Sequence, residues 1–467
     1  MTIYEKLRER GYKTMPEDFY SIITTWHSWY DGNVKNFHSY KVFNGMKHVH
    51  CHRYSAGMAK KVSEDWANLL MNEKVSVTLE GVKEQEFFDD VSKQNSLRVK
   101  LNEMQELKAA LGTSAYIARV TDATVDAETG AVIGSGAKIK LDYVCAESII
   151  PLSWENGKVI ECAFTSEKVN GKDKYLYLQI HHIVNGFYDI ENVLFRNTNG
   201  ECSEVPLNTL PEMSNIPAVV HTGSQLPQFV IDRLNIVNNY DANLPMGIAV
   251  FANAIDQLKG VDVTYDSYVN EFILGKKRII VKPEATKTID DEPCFDENDL
   301  VFYVLPEDGR DGNIIEEVDM SMRTEEHKTG MQDMLNMLSS KCGFGENHYK
   351  FDKGNISTAT QVVSENSTLF RTIKKHEIIL EDVLKELVRI ILRMGNQYMN
   401  AGLNEDVEIS VDFDDSIIED KEADFQRDSR MLQMGILNAY EFRMKWLNED
   451  EATAKAALPQ MEGLIEA

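Results

Sequence analysis

The chain has 467 residues, of which 43% are hydrophobic and 27% charged, and a formal net charge of −26. These proportions describe a folded globular protein of two or three domains with a large buried core, and they exclude a disordered chain. No apolar run reaches the roughly 20 residues of a membrane helix and no signal-peptide pattern opens the chain, so a cytoplasmic setting without a membrane partner is expected. The excess of acid argues against a protein that grips nucleic acid by neutralising phosphates over its whole surface, and by itself reads as solubility. Cys51, Cys145, Cys162, Cys202, Cys294 and Cys342 are scattered without CxxC spacing and read as reduced thiols.

Residues 1–31 predict two short helices, the second opened by Pro16-Glu17-Asp18 and closed at Asp31-Gly32. Tyr40–Phe43 and Met46–His52 flank Asn44-Gly45, a hairpin signal. A helix is expected from about Ala56 to Asn72, with Met58, Val62, Trp66, Leu69 and Leu70 on one face and Ser55 as its cap. Glu84–Gln94 and Leu97–Leu111 predict two more, separated at Asn95-Ser96 and stopped by Gly112. From Ala115 to Asn199 the period becomes two, over Tyr116–Val120, Ala137–Tyr143, Val159–Ser166, Lys174–Ile183 and Phe187–Phe195. Asn-Gly pairs at 156–157, 170–171, 185–186 and 199–200 make this an antiparallel meander. Residues 203–225 are irregular, and Gln228–Val237 leads into the next helix.

That helix is expected over 244–274, opening with the turn Leu244-Pro-Met-Gly. Val250, Ala254, Leu258, Val261, Tyr265, Tyr268 and Phe272 fall at steps of three and four and form its apolar stripe, and Gly275 stops it. Residues 275–318 then read as a small β module, with strands at Arg278–Lys282 and Asp299–Leu305 punctuated by Pro, Asp and Gly. A second helix over 319–342 carries His327, Met331, Met334 and Leu338 on one face. Gly260 and Gly330, near the middle of the two helices, invite a bend. Two long helices holding a β lobe away from the body suggest a stalk with a docking tip.

Gly343–Ser357 is turn-rich, and a long helix is expected from Thr358 to Asn400 with Leu380, Val383, Leu384, Leu387, Ile390 and Ile391 as its stripe. Val407–Phe413 reads as a strand, and Ile417–Met434 and Ala439–Ala457 as two final helices joined at Gly435.

Three clusters invite chemistry. His48, His50 and His52 share one face of a strand, so zinc is conceivable, but no carboxylate stands at ligand spacing and a polar strand face is favoured. Asp412, Asp414, Asp415, Glu419 and Asp420 can be drawn as a divalent-metal cluster. As an EF-hand loop the run fails, because Ile417 replaces the glycine and Ala423 the bidentate Glu; capping of a helix start is the simpler account. Gly354–Thr360 places N–H groups and hydroxyls suited to a phosphate, yet it lacks the lysine of a nucleotide loop and serves equally as an N-capping turn. His181-His182 lies inside a predicted strand and reads as structural. Walker A, GxGxxG, GxSxG and HExxH motifs do not occur.

Several stretches together resemble a known family. Leu244-Pro-Met-Gly-Ile-Ala-Val-Phe, Ala254-Ile-Asp-Gln-Leu-Lys and Glu271-Phe-Ile-Leu-Gly-Lys-Lys-Arg-Ile-Ile-Val are similar to the approach to the stem in portal proteins of tailed bacteriophages, in particular long-tailed phages of Gram-positive hosts. Thr358-Ala-Thr-Gln-Val-Val-Ser-Glu-Asn-Ser resembles the segment after their tunnel loop. Ser410-Val-Asp-Phe-Asp-Asp-Ser-Ile-Ile-Glu-Asp and Met434-Gly-Ile-Leu-Asn-Ala-Tyr-Glu resemble the passage into their crown, and Met58-Ala-Lys-Lys-Val-Ser-Glu-Asp-Trp-Ala-Asn-Leu-Leu the start of their wing. Ala249 stands where a small hydroxyl residue is expected, and Asn438 where serine is common.

The resemblance implies an α+β portal fold: wing over 1–243, first stem helix 244–274, clip 275–318, second stem helix 319–342, tunnel loop 343–357, long helix and return strand of the wing 358–413, and crown 414–467. It implies a non-enzymatic homododecamer without cofactor, a ring at one capsid vertex through which double-stranded DNA is packaged and ejected. The implied partners are terminase large subunit, head–tail adaptor, scaffold and major capsid protein, with assembly in the host cytoplasm and a place in the virion. Lys350, Lys353, Asn355, Ser357, Thr358, Thr360 and Gln361 would face DNA in the tunnel. Val250, Leu258, Val261, Tyr265, Tyr268, Phe272, Met331, Met334 and Leu338 would pack the stem. The competing expectations are a metal-dependent phosphoryl-transfer enzyme built on residues 412–419, and a minor capsid or adaptor protein that forms no ring.

Overall fold

Alternating apolar residues and Asn-Gly turns dominate the middle of the chain, and helical stripes dominate both ends; the computed structural model follows that division. It describes residues 2–72, 75–122, 124–125, 132–133, 136–198, 200–274, 278–281, 287–289, 292–294, 302–304, 315–318, 322–350, 359–413, 421–447 and 449–457. Helices α1 (Ile3–Glu9) and α2 (Glu17–Tyr30) precede a hairpin of β1 (Ser39–Phe43) and β2 (His48–His52). Then come α3 (Met58–Leu70), β3 (Ser76–Leu79), α4 (Val82–Gln94) and α5 (Leu97–Leu111). The central strands are β4 (Thr113–Thr121), β5 (Thr124–Val125), β6 (Val132–Ile133), β7 (Lys138–Cys145), β8 (Ile149–Glu155), β9 (Lys158–Asn170), β10 (Asp173–Val184), β11 (Phe187–Thr198), β12 (Glu201–Val205), β13 (Val219–His221) and β14 (Phe229–Arg233). Helices α6 (Ile255–Leu274) and α7 (Thr324–Lys341) bracket β15 (Arg278–Val281), β16 (Lys287–Ile289), β17 (Glu292–Cys294), β18 (Phe302–Val304) and β19 (Ile315–Val318). The last elements are α8 (Ala359–Met399), β20 (Ile409–Asp412), α9 (Lys421–Gln433), α10 (Ala439–Leu447) and α11 (Glu451–Ala456). The fold class is α+β, as expected.

The meander is real but shorter than its period suggests. Strands run β12-β11-β10-β9-β8, with β13 added to β11. Asn156 and Gly157, and Asn185 and Gly186, all take positive φ, the backbone that two-residue hairpins require. Strand β8 escapes the alternation rule because bulges between Pro151 and Trp154 break its register. Strands β4 and β7 leave the meander and form a second sheet, β14-β4-β7, with a strand that comes 108 residues after β4 ends. Ala115, Tyr116, Ile117 and Ala118 are all buried, so β4 is covered on both faces, and no alternating pattern is left to mark its partner.

One core joins the helices to both sheets, with Trp26, Trp66, Tyr116, Phe195, Phe229 and Phe251 among its largest buried side chains. The long helix α8 buries Leu380, Val383, Leu384, Leu387, Ile390 and Ile391, the stripe the sequence marks. Its return strand β20 pairs with β3, Ile409 opposite Leu79. Two local expectations are corrected. The residue before α3 is Gly57 in a left-handed conformation, and Ser55 instead accepts a bond from the Gly57 N–H at 3.1 Å. The final helix is two, because Asp450 caps a new start by accepting from the Thr453 N–H at 2.8 Å.

Two histidines in this core make stability depend on pH. His181 lies edge-on to Phe164 and Phe229, with neither ring nitrogen hydrogen-bonded. His376 accepts from the Asn235 N–H at 3.1 Å and meets Trp66 edge-on. Burial, aided by His182 beside the first and by Lys108 and Lys375 near the second, lowers both from the usual 6.5 to about 3. Above 6.5 both rings are neutral in the folded and unfolded chain, so they add no dependence there. Between 6.5 and 3 only the unfolded chain takes up the protons, so stability falls as pH falls, by about 1.4 kcal/mol per unit per ring. At pH 5 each ring thus removes about 2 kcal/mol. His181→Phe, which keeps the aromatic packing, is expected to narrow the gap in urea stability between pH 7.5 and pH 5 by about that amount. An unchanged gap would place the His181 ring in contact with water.

Candidate functional site

The α6–α7 pair and the turn that follows it collect most of the residues singled out in the sequence. Helix α6 begins later than expected, at Ile255. Leu244, Met246, Ile248, Ala249, Val250 and Phe251 form a buried, non-helical approach to it. Val250 therefore does not belong to the helical stripe: its N–H donates to the Ala109 carbonyl at 2.8 Å, seating it beneath the end of α5. With 20 residues, α6 is about 30 Å long. Leu258 and Val261 are buried, and Tyr265 and Tyr268 are half-buried against the core. Phe272 is 46% exposed and meets Tyr268 edge-on.

Helix α7 starts at Thr324 and buries Met331, Leu335, Leu338 and Ser339, while Met334 is half-buried. Leu335 is the residue the stripe omitted. A Cβ on Gly260 would come within 2.9 Å of the Met334 sulfur, so the glycine lets the two helices approach closely. Near the far end of the pair, Glu271 accepts from Arg323 at 2.8 and 3.1 Å, and those bonds hold its carboxyl down to about 2. His327 stacks obliquely on Tyr268 at 5.7 Å. At the tip, β15 pairs in parallel with β18 and antiparallel with β19, and β16 pairs with β17.

After α7 the chain turns without slack. The Cys342 carbonyl accepts from the Trp66 indole at 3.0 Å, and Phe344 is buried between Trp66 and His348, its ring stacked on the imidazole at 4.3 Å. The Tyr349 hydroxyl donates to Asp65 at 3.0 Å, and His348 stands 3.6 Å from the same carboxylate. Burial would raise the Asp65 carboxyl, but hydrogen bonds from His348, Lys61 and Tyr349 outweigh it and hold the group below its ordinary value. Gly343 has φ +87° and is enclosed by Thr372 and Trp66, so it shapes a packed turn and does not loosen a loop. Residues 343–350 are thus anchored to α3, leaving Lys350 exposed at their end. Lys353, Asn355, Ser357 and Thr358 lie outside the described residues, and Thr360 and Gln361 stand in the first turn of α8.

The other candidates are separated in space. His48, His50 and His52 are exposed on β2, and Asp412 ends β20 opposite Ser76. Asp414, Asp415, Glu419 and Asp420 lie outside the described residues. Among the described residues no three His, Cys, Asp or Glu side chains are grouped to hold a metal ion, and no helix is long and apolar enough to cross a membrane. Reasoning from periodicity missed two polar anchors. Asp262, 4% exposed, sits on the apolar side of α6 at one turn from Leu258, and His38 Nε2 donates to it at 2.8 Å. Lys108 and Asp232, 1% and 0% exposed, pair at 2.9 Å between α5 and β14. An acid or a lysine inside a stripe of apolar residues is the signal that could have found both.

Comparison with known proteins gives the setting for this geometry. Among curated proteins nothing matches the chain. Among solved structures, a chain from the neck of a native GTA particle, computed with C12 symmetry, is similar over 84% of this chain and 90% of its own, at 10% identity and a TM-score of 0.40. The family model described as "Phage portal protein, SPP1 Gp6-like" matches residues 13–458. A match across nearly the whole chain, from just before α2 to the end of α11, decides the matter: the chain belongs to the SPP1 Gp6-like family of phage portal proteins.

Proposed function

We propose that this portal chain assembles into a closed ring, twelve copies by the resemblance, set at one capsid vertex and traversed by double-stranded DNA during packaging and ejection. The α6–α7 pair is its stem and the strands between them its clip, where terminase large subunit docks first and the head–tail adaptor later. Scaffold and major capsid protein meet the outer wing, built from residues 1–243 and 358–413, and residues 414–467 form the crown. The role is structural and calls on no cofactor. The observation that carries this reading is the apolar surface that the chain's own packing leaves partly uncovered on the stem. Val263, Phe272, Ile273 and Met337 are each 42–54% exposed on two helices whose facing sides are already filled. Apolar surface of this kind along a two-helix stalk suits contact between neighbouring copies.

Charge supports the same picture. Twelve chains of −26 carry about −312, and acid lining a bore repels phosphate and keeps DNA sliding. Screening limits that effect to about 8 Å, so only bore-lining groups count. In this reading Lys350, Lys353, Asn355, Ser357, Thr358, Thr360 and Gln361 give weak, transient phosphate contacts at the constriction.

Phe272→Asp tests the reading. The side chain is half exposed in the single chain, so the loss to folding should be small, while a charge driven into a subunit contact costs several kcal/mol per copy. Size-exclusion light scattering should show rings for the unaltered protein and dissociated chains, with unchanged circular dichroism, for the variant. An unaltered protein that stays monomeric at micromolar concentration overturns the proposal.

A further inference from the structure

The β1–β2 hairpin stands apart from the acidic chain that carries it. Residues 35–53 hold Lys35, Lys41, Lys47 and Arg53 and neither Asp nor Glu, which leaves −30 on the remaining residues. Its register places Tyr40 opposite Cys51 and Val42 opposite Val49, so these four share one face. Lys41, Phe43, His48, His50 and His52 share the other. Val42 is 45% exposed, Phe43 59%, and Met46 at the tip 91%.

The root of the hairpin, in contrast, is fixed. The Val34 N–H donates to His38 Nδ1 at 2.7 Å, which puts the ring proton on Nε2 and directs it to Asp262 on α6 at 2.8 Å. The Arg53 guanidinium lies over the Phe37 and Tyr40 rings, and the Tyr54 N–H donates to Asp266 at 3.0 Å. A two-stranded ribbon with Val42, Val49 and Met46 exposed is marginal in water by itself. Here it is held out on a rigid base.

We propose that this hairpin is an arm that docks on a second copy of the chain, with Tyr40, Val42, Val49 and Met46 seated against the neighbour and Lys41 and Lys47 facing its acid. Charge complementarity selects the occupant: a cationic arm on a chain that is otherwise −30 meets opposite charge on any neighbouring copy. A phosphate backbone would satisfy the lysines but leave the apolar face in water. A protein neighbour covers both. The arm extends the subunit contact beyond the stem and rests on the ring reading above. Asp262 and Asp266 then have a purpose in the assembly, because they fix the arm's angle relative to the stem helix.

The test is photocrosslinking of the full chain with Met46 replaced by benzoylphenylalanine. Irradiation should give a product of two chains, linked between position 46 and another copy. Lys41→Glu combined with Lys47→Glu should lower its yield at least tenfold, with unchanged circular dichroism. Rings seen by light scattering but no link between chains would overturn the arm and leave the ring intact. A protein that stays monomeric would overturn both. A link to added duplex DNA in preference to protein would assign the arm to nucleic acid instead, and a double variant that crosslinks like the unaltered chain would remove the role of charge.

Discussion

Lys108→Met should destabilise the folded chain by about 3–5 kcal/mol, the cost of leaving a buried carboxylate without its counter-charge. Asp232 is fully buried and receives Lys108 at 2.9 Å and the Gln105 amide at 2.8 Å, with the Tyr116 hydroxyl at 3.5 Å. Removing the ammonium keeps the volume but leaves one carboxylate oxygen facing nothing that compensates its charge. Burial pushes Lys108 below the ordinary ammonium range, against the pull of Asp232. The net worth of the intact pair is therefore small, although breaking it is costly. Lys108→Met combined with Asp232→Leu should recover most of the loss, since a pair of apolar side chains of similar size often matches a buried ion pair. Urea or thermal unfolding of the two variants decides it. A single variant as stable as the unaltered chain would mean that water reaches Asp232.

Gly112→Ala should cost about 2–4 kcal/mol, for two separable reasons. Gly112 has φ +86°, where an L side chain is strained by about 1–2 kcal/mol. A Cβ there would also lie 2.6 Å from the Gly247 carbonyl oxygen, and one on Gly247 would lie 2.4 Å from the Gly112 carbonyl oxygen. Both obstacles are backbone, which cannot swing aside as a side chain can. The crossing is where the end of α5 meets the approach to α6, so its loss should also weaken the seat of the stem. The measurement is thermal unfolding alongside light scattering of the assembled protein. Gly247→Ala meets the same backbone clash without the strain of a positive φ and should cost about 1–3 kcal/mol, and a mild effect in both would mean that the two backbones can separate without consequence.

Much of the element order is legible in the residues. The α8 stripe, the Asn-Gly hairpins, the α5 stop at Gly112 and the two helices around a β unit are set by local physics: a period of 3.6 or 2, and turns that need positive φ. These signals act over a few residues and survive whatever the rest of the chain does. Residues 244–251 misled the periodic reading because a segment buried on all sides is apolar throughout, and a continuous apolar run matches a helix as well as an extended approach. Gly260 shows the same limit, because a glycine at a close helix contact and a glycine that permits a bend are identical in sequence.

The sequence by itself therefore determined the α+β class, the order of helices and strands, and the acidic balance, each of which depends on neighbours in the chain or on composition alone. Only the tertiary structure decided that β14 closes β4, that β3 receives β20, that Asp262 holds His38, and that the turn after α7 is locked to Asp65 through Tyr349. The partners in these contacts are separated by 112 to 336 residues in the chain. Their selection is a matter of which buried polar groups and which covered faces can be satisfied at once, and no local pattern carries that information.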